Sequence, residues 1–461
     1  MSENLNRINV KSVIQVDTAL LDDISNLIEA GSLDSLLNIL TDLHPADIAE
    51  IINHLSAEDA SKIFKLLDTE TAGEVIIEVD ENLREYILSE IDKKKITDII
   101  DELDTDDATD IVADLPENIQ EHVLDNIDKE YSEDVKELLK YPEDSAGGIM
   151  NSTFVAVLES HTIKDAIDEI RKFADDIDHI YQLYVLKPTE ELIGTVLIKA
   201  LLINPLDTRI SSVMEEDLIY VTPEVDQEEV AKIMEKYDLV AIPVVNEQRK
   251  MIGRITIDDI VDVINEEAAE DIQKIAGLSE EEEYNYSAYR ISTIRLPWLL
   301  VSLFGEMISA YVLQSFHATI ERIYIAGVFI PIIMAMGGSA GTQSAIVVVR
   351  GLATDNLWLS ESYKRLFKEL RVATINGFAC GLILLVTTTV FWQEQFNFTL
   401  ILSVSLVVIM INATMIGAFI PLFLKRLKFD PAISTGPFVQ TANDIVGLII
   451  YFTLITIFYV P

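Results

Sequence analysis

TANDIVGLIIYF, Thr441 to Phe452, lies inside the last apolar run of a 461-residue chain and carries a carboxylate, Asp444. An ionisable side chain near the middle of a bilayer costs roughly 2.5–3.5 kcal/mol on insertion scales, so such residues face a bundle interior or a water-filled path. Gln440, Thr441 and Asn443 come just before this carboxylate, and Gly447 follows it by about one helical turn. Whether this stretch spans a membrane decides the fold class.

Working outward from it, the chain has a formal net charge of -43 and is 49% hydrophobic, which is consistent only if charge and apolar surface are segregated. They are. Residues 291–461 hold 8 acids and 10 bases, leaving 69 acids and 24 bases to Met1–Arg290, a net of about -45 there. That excess argues against nucleic acid as a partner and predicts self-repulsion unless cations bind. The single cysteine, Cys380, sits in an apolar run, so neither a disulfide framework nor a CxxC metal site is expected. Histidines are sparse, and no nucleophile–base pair or phosphate loop points to an enzyme. The polar opening, MSENLNRINVKSVIQVD, lacks the apolar core of a secretory signal, so the acidic half is expected in the cytosol.

Runs long enough to cross a bilayer occur at roughly 296–315, 323–349, 373–392, 398–424 and 436–459. The connections alternate in charge. The loop after the second run has Arg350, Lys364, Arg365, Lys368 and Arg371, and the loop after the fourth has Lys425, Arg426 and Lys428. By contrast QEQFNF (393–398) has no base and HATIER (317–322) has only Arg322. The positive-inside rule then predicts a cytosolic N-terminal half and a C-terminus outside. Trp298, Trp392 and Tyr459 fall where interfacial anchors are expected.

The fold class expected is therefore multidomain. An N-terminal extension (1–34) precedes an all-α superhelical N domain of acidic helical repeats (35–140). An α/β pair (141–268), a connecting helix (269–292) and an all-α membrane domain of five helices (293–461) follow. The repeats are visible as LHPADIAEIINHL (43–55) against LDTDDATDIVADL (103–115), with Leu43 on Leu103, Asp47 on Asp107 and Leu55 on Leu115. Units that cannot bury a face alone should stack. Most of their acids read as a solvated face. In 141–268, IGTVLIKALL (193–202) and IGRITIDDIV (252–261) repeat a strand-to-helix step, and the region resembles a tandem cystathionine-synthase-type (CBS) pair. In the second unit, Thr256 and Asp258 stand where such modules often hold a nucleotide ribose, which raises adenosine nucleotide, ATP included, as a ligand. The first unit has Leu197, Lys199 and Ala200 there. A purely structural, dimer-forming pair is the alternative.

From Asp258 onward acids recur at helical spacing through Asp259, Asp262, Glu266, Glu267, Glu270 and Asp271. Oxygen-only clusters without His or Cys suit Mg2+ or Ca2+. No EF-hand loop is present. In the second apolar run, PIIMAMGGSAGTQSAIVVVRGLA (331–353) gathers Gly337, Gly338 and Gly341. Small residues at this spacing serve close helix packing, or the wall of a path where backbone approaches an ion.

GGSAGTQSAIVVVRGLA together with GPFVQTANDIVGLIIYF resembles the MgtE magnesium transporter family, as does the order of parts. The resemblance implies a homodimeric, Mg2+-selective channel in a bacterial-type plasma membrane, with the pore on the two-fold axis. Its cytosolic domains would sense Mg2+ and close the pore through the connecting helix. Carried over by motif, the pore carboxylate is Asp444, with Gly337, Gly338, Gly341 and Asn443 lining the path. The cytosolic Mg2+ ligands implied are Asp226, Glu228, Asp238, Asp259, Asp262, Glu267, Glu270, Asp271 and Asp430, faced by Glu74, Asp106 and Asp110 of the N domain. Two Asp444 carboxylates across a two-fold axis would balance one divalent ion. The plainer readings of Asp444 are a neutral packing residue or a partner of Arg350. Two rival functions stay open: a proton-coupled divalent-cation carrier, with Glu306 as second carboxylate, and a membrane-anchored sensor without transport.

Overall fold

The computed structural model describes residues 16, 18–173, 177, 179–276, 288–353, 362–392, 395–432 and 436–459. The chain divides into two compact units, Met1–Asn265 and Glu266–Pro461.

The first unit opens with ten short helices among the described residues, from Thr18–Glu29 to Lys129–Leu138. Helices two apart in sequence stack on each other: Pro45–Asn53 on Thr69–Ile77, that on Lys93–Ile100, and that on Glu117–Asn126. Their apolar stripes form one continuous core that includes Ile24, Ile51, Phe64, Ile76, Ile99 and Val112. Many acids here shape local structure. Asp68, Asp92 and Asp128 accept backbone N–H groups of the following first turns at 2.9–3.3 Å, satisfying donors that a helix start leaves unpaired. Carboxylates at those positions also match the positive end of the helix dipole. Lys95 does the converse, donating to the carbonyls of Phe64, Lys65 and Leu67 at the end of helix Ala57–Phe64.

Two small α/β modules follow. The first has strands β1 (Ala156–Leu158), β2 (Gln182–Leu186) and β3 (Leu192–Leu197), with β1 parallel and β3 antiparallel to β2. The second is a hairpin, β4 (Ala241–Val245) with β5 (Met251–Thr256), leading into helix Ile257–Ala276. Buried Arg254 links the modules, donating to the carbonyls of Thr153 and His179 at 3.0 and 3.1 Å. The helical stack is tied to the modules by Thr105, whose hydroxyl donates to Asn151 at 3.1 Å and accepts the Ser152 N–H at 2.8 Å.

The second unit contains five helices long and apolar enough to cross a membrane. They are Ala288–Ser315, Ile330–Ala353, Ser362–Thr387, Phe396–Arg426 and Pro437–Phe458, called spans 1 to 5. Span 4 is the centre, with half of its most apolar window buried against 11% for span 1. Phe329, Phe398, Leu406, Ile409, Tyr451 and Phe452 fill the core, and the Tyr451 hydroxyl donates to the carbonyl of Ala326 at 2.9 Å.

Three boundaries differ from the hydropathy reading. The apolar run from 323 is broken: Tyr324–Val328 is a separate short helix and span 2 begins at Ile330. Pro331 suits that start, since its missing N–H costs nothing in a first turn, although spans 1 and 4 accommodate Pro297 and Pro421 in their interiors. Spans 1 and 3 start earlier than the apolar runs, because Ala288–Arg295 and Ser362–Arg371 are helical yet polar. Hydropathy reports the solvent a helix prefers and not where its hydrogen bonding begins.

Candidate cation sites

Asp444 and Asn443 are 5% and 3% exposed, held on the inward side of span 5. Three glycines bring the other spans close. A Cβ at Gly341 of span 2 would overlap the Asn443 amide nitrogen. One at Gly417 of span 4 would overlap the Gly341 carbonyl oxygen, and one at Gly305 of span 1 would overlap Thr441. Only hydrogen fits at these crossings: the Gly417 and Gly341 backbones meet directly, and Gly341 and Gly305 make room for the Asn443 and Thr441 side chains. Glu306, next to Gly305, comes within hydrogen-bonding reach of Asp444. Both amide atoms of Asn443 are buried with no hydrogen-bond partner. A buried amide left unpaired is costly and unusual, and it marks a place where water or an ion completes the bonding.

Among the glycines expected to line the path, Gly341 meets Asn443, whereas Gly338 lies opposite Gln440 and Gly337 packs against Ile409. The first borders the polar stretch of span 5 directly, and Gly337 borders an apolar side chain.

In the first unit a second set of carboxylates converges. Asp104, Asp106 and Asp107 sit at the start of helix Thr105–Asp114, and Asp258 and Asp259 at the start of helix Ile257–Ala276. Asp106 is 9% exposed, and its Oδ1 has no partner. Burial, with help from Asp107 and Asp259, holds its carboxyl well above the ordinary range. Burial and the charges of Asp259, Asp104 and Asp110 push Asp107 up to about 8. Asp259 is raised by burial to about 6, although it accepts the Thr256 N–H and hydroxyl at 3.1 and 2.8 Å. Two helix N-termini offset part of this repulsion but not the sum of five carboxylates. Protons held by the raised Asp106 and Asp107 carboxyls relieve the rest.

Asp106, Asp110 and Asp259 were expected here, and Asp104 and Asp107 were missed. The run TDDATD was visible, but only the fold shows that Asp107 meets Asp259 across two helix starts. Thr256, a ribose candidate, spends its hydroxyl on Asp259, while Asp258 is exposed.

The other expected ligands are not drawn into one cluster. Among the described residues no three His, Cys, Asp or Glu side chains, those at the two helix starts included, are grouped closely enough in this state to hold a metal ion. Asp226 caps helix Gln227–Tyr237, accepting the Glu228 N–H at 3.0 Å, and the Glu228 carboxylate pairs with Lys232 at 2.6 Å. Asp238 ends that helix in the left-handed conformation, φ 53°. Glu74 is exposed on helix Thr69–Ile77. Asp262 is exposed too, with its carboxyl raised by partial burial and by Asp258. Glu267 and Asp271 lie on helix Ile257–Ala276, within the second unit. There Glu270 and Asp430 do converge, but on Lys274, whose ammonium is 2.7 and 2.8 Å from them.

Five apolar helices around a buried carboxylate and an unpaired amide, preceded by an acidic helical stack and an α/β pair, are the architecture of a multi-pass membrane protein with a large acidic N-terminal part. Comparison narrows the class. A family model described as divalent cation transporter matches residues 330–454. Models for the MgtE intracellular N domain and the CBS domain match 43–144 and 210–266. The chain is 35% identical over 327 residues to the magnesium transporter MgtE of Bacillus subtilis (strain 168), covering 71% of this chain and 72% of that one. Against magnesium transporter MgtE of Thermus thermophilus it is 33% identical over 323 residues, covering 70% and 71%. Its N-terminal part is similar to a crystal structure of the cytosolic domain of the Mg2+ channel MgtE in complex with ATP. That match has 29% identity and a TM-score of 0.50 over 53% of this chain and 100% of that one. The chain belongs to the MgtE family.

Proposed function

We propose that this chain carries Mg2+ across a bacterial-type plasma membrane through a pore on the two-fold axis of a homodimer. Cytosolic Mg2+ closes that pore. The observation that carries the reading is Asp444 buried in span 5 beside an amide with no partner, at the point where spans 1, 2 and 4 approach through glycine. One carboxylate cannot neutralise a divalent ion. A two-fold axis duplicates Asp444 and Asn443, giving two negative charges and two amides. Mg2+ sheds water reluctantly and is usually held by one or two carboxylates with several waters kept. The names of the relatives, which are magnesium transporters, agree with that choice of ion. The basic loops support an N-terminal half in the cytosol and a C-terminus outside.

Closure follows from charge. Without divalent ions the Asp104–Asp106–Asp107 and Asp258–Asp259 starts repel, and a bound cation favours their approach. A ligand shifts a conformational balance only through its difference in affinity between the states. Carboxylates that converge in the compact state alone provide that difference. The test is Mg2+ uptake into liposomes holding Asp444→Asn. Uptake equal to that of empty liposomes is expected, and wild-type uptake would refute the pore.

The Glu306–Asp444 pair supports a second reading, because a proton-coupled carrier needs a second membrane carboxylate beside the first. Proton coupling predicts uptake driven by an imposed pH gradient without a Mg2+ gradient, whereas a channel shows none. Nucleotide enters as a ligand of the structural relative crystallised with ATP. Binding at Thr256 and Asp258 would require Thr256 to give up Asp259, so ATP and the compact acidic pair should influence each other.

A further inference from the structure

Lys274 stands where two of the expected metal ligands meet. Its ammonium lies 2.7 Å from Glu270 Oε1 and 2.8 Å from Asp430 Oδ2, and its side chain is 21% exposed. Asp430 is firmly placed. Its Oδ1 accepts the Ala432 N–H at 2.8 Å. The connector before it leaves span 4 through a tight turn, with Lys428 at φ 64° and the Phe429 N–H donating to Leu424 at 3.0 Å. The lysine therefore ties helix Ile257–Ala276 to the link between spans 4 and 5, the latter being the helix that carries Asp444.

We propose that Lys274 is a built-in counter-cation that competes with divalent ions for Glu270 and Asp430, and so sets the Mg2+ concentration at which the pore closes. The charges decide it. Two carboxylates and one ammonium sum to one negative charge, which a divalent ion would overshoot. Without the ammonium the pair carries two, which one divalent ion balances. Like charges a few ångströms apart repel strongly where water is partly excluded. A divalent ion can thus enter this pair only as Lys274 leaves it. The helix keeps a connection to the connector at low Mg2+, and a second cation must outbid the first to replace it. This deepens the closure reading above and rests on it.

The test uses the full chain in detergent and in liposomes. Two quantities are titrated with Mg2+: protection from trypsin, which needs no transport, and flux. Lys274→Gln is expected to lower the midpoint of both about fivefold or more, the lower end of usual couplings between sites. Lys274→Arg, which keeps the charge, should stay near wild type and controls for folding. An unchanged or higher midpoint in Lys274→Gln, with Lys274→Arg normal, overturns the competition while leaving Mg2+ closure intact. If the wild type shows neither protection nor closure by Mg2+, the closure reading fails and this inference with it. A shift in Lys274→Arg as large as that in Lys274→Gln would assign the effect to side-chain packing and also overturn it.

Discussion

The carboxyls in the apolar bundle and those of the acidic first unit put the same residue type in opposite settings. Around Asp444 charge is scarce: two carboxyls, a buried amide and glycine crossings. Around Asp106 and Asp107 carboxyls are in excess: five gather at two helix starts, and burial and neighbouring acids make Asp106 and Asp107 hold protons well above the ordinary range. Scarcity suits an ion that must pass, since a deep well would trap it. On the proposed closure, excess suits an ion that must be sensed, since crowded carboxyls give the cation-bound state its advantage over the free one. The difference teaches that an acidic residue here is read by its company.

The largest effect expected separates the two directly. Asp444→Asn should abolish Mg2+ uptake and leave Mg2+-dependent trypsin protection unchanged. Asp107→Asn should do the reverse, sparing uptake at low Mg2+ and weakening closure at high Mg2+. If both variants lost uptake alone, the cytosolic pair would not be a sensor and the contrast would collapse. Next in size is Gly417→Ala. Its methyl would overlap the Gly341 carbonyl, a backbone atom that cannot rotate away. Overpacking of this kind costs about 1–3 kcal/mol, which should lower the thermal midpoint in detergent and reduce uptake. Gly337→Ala, which meets only the end of Ile409 within reach, should be milder in the same assay.

How much of this was legible follows from the range of each interaction. The order of domains, the five spans and the special standing of Asp444 rest on local composition, and they can be read from the chain. The break at Phe329 was also local: Pro331 was visible, but the apolar run hid it. Pairings across the fold were not legible. Glu306 with Asp444, Asp107 with Asp259 and Lys274 with Asp430 join residues far apart in sequence. Nothing in the spacing of the acids distinguishes Asp68, which caps a helix, from Asp106, which has an unpaired oxygen. The expectation of a mostly solvated acidic face missed this division of labour.

That division has a pH signature. Asp107, at about 8, and Asp259, at about 6, bind protons more tightly in the folded chain than at the ordinary value of 3.8. Between roughly pH 4 and 8 the folded state therefore holds more protons than the unfolded one, and this contribution to stability is lost as pH rises. Mg2+ should flatten the loss by replacing the protons. Chemical denaturation of the full chain at pH 5 and pH 8, with and without Mg2+, checks it. Stability that rises from pH 5 to pH 8 without Mg2+, and is indifferent to Asp107→Asn, would remove the crowding on which the sensor depends.

The smallest effect expected comes from an acid outside both sites, and it carries the opposite sign. The Asp68 carboxylate accepts the Thr71 N–H at 3.0 Å and the Thr71 hydroxyl at 3.1 Å, and the first of these leads in holding its carboxyl below the ordinary value. A lowered folded value means the contribution is complete above the unfolded value and is lost as pH falls through the folded one. Asp68→Ala should cost about 1 kcal/mol, the usual worth of such a cap, at pH 7 and less under strong acid. It should leave the midpoint of Mg2+ protection where it was, because a cap bonds to backbone and has no second carboxylate to share an ion with. A shift of that midpoint with Asp68→Ala would mean that the acidic half responds to Mg2+ as a diffuse charge cloud. The distinction between capping and sensing carboxylates would then have to be abandoned.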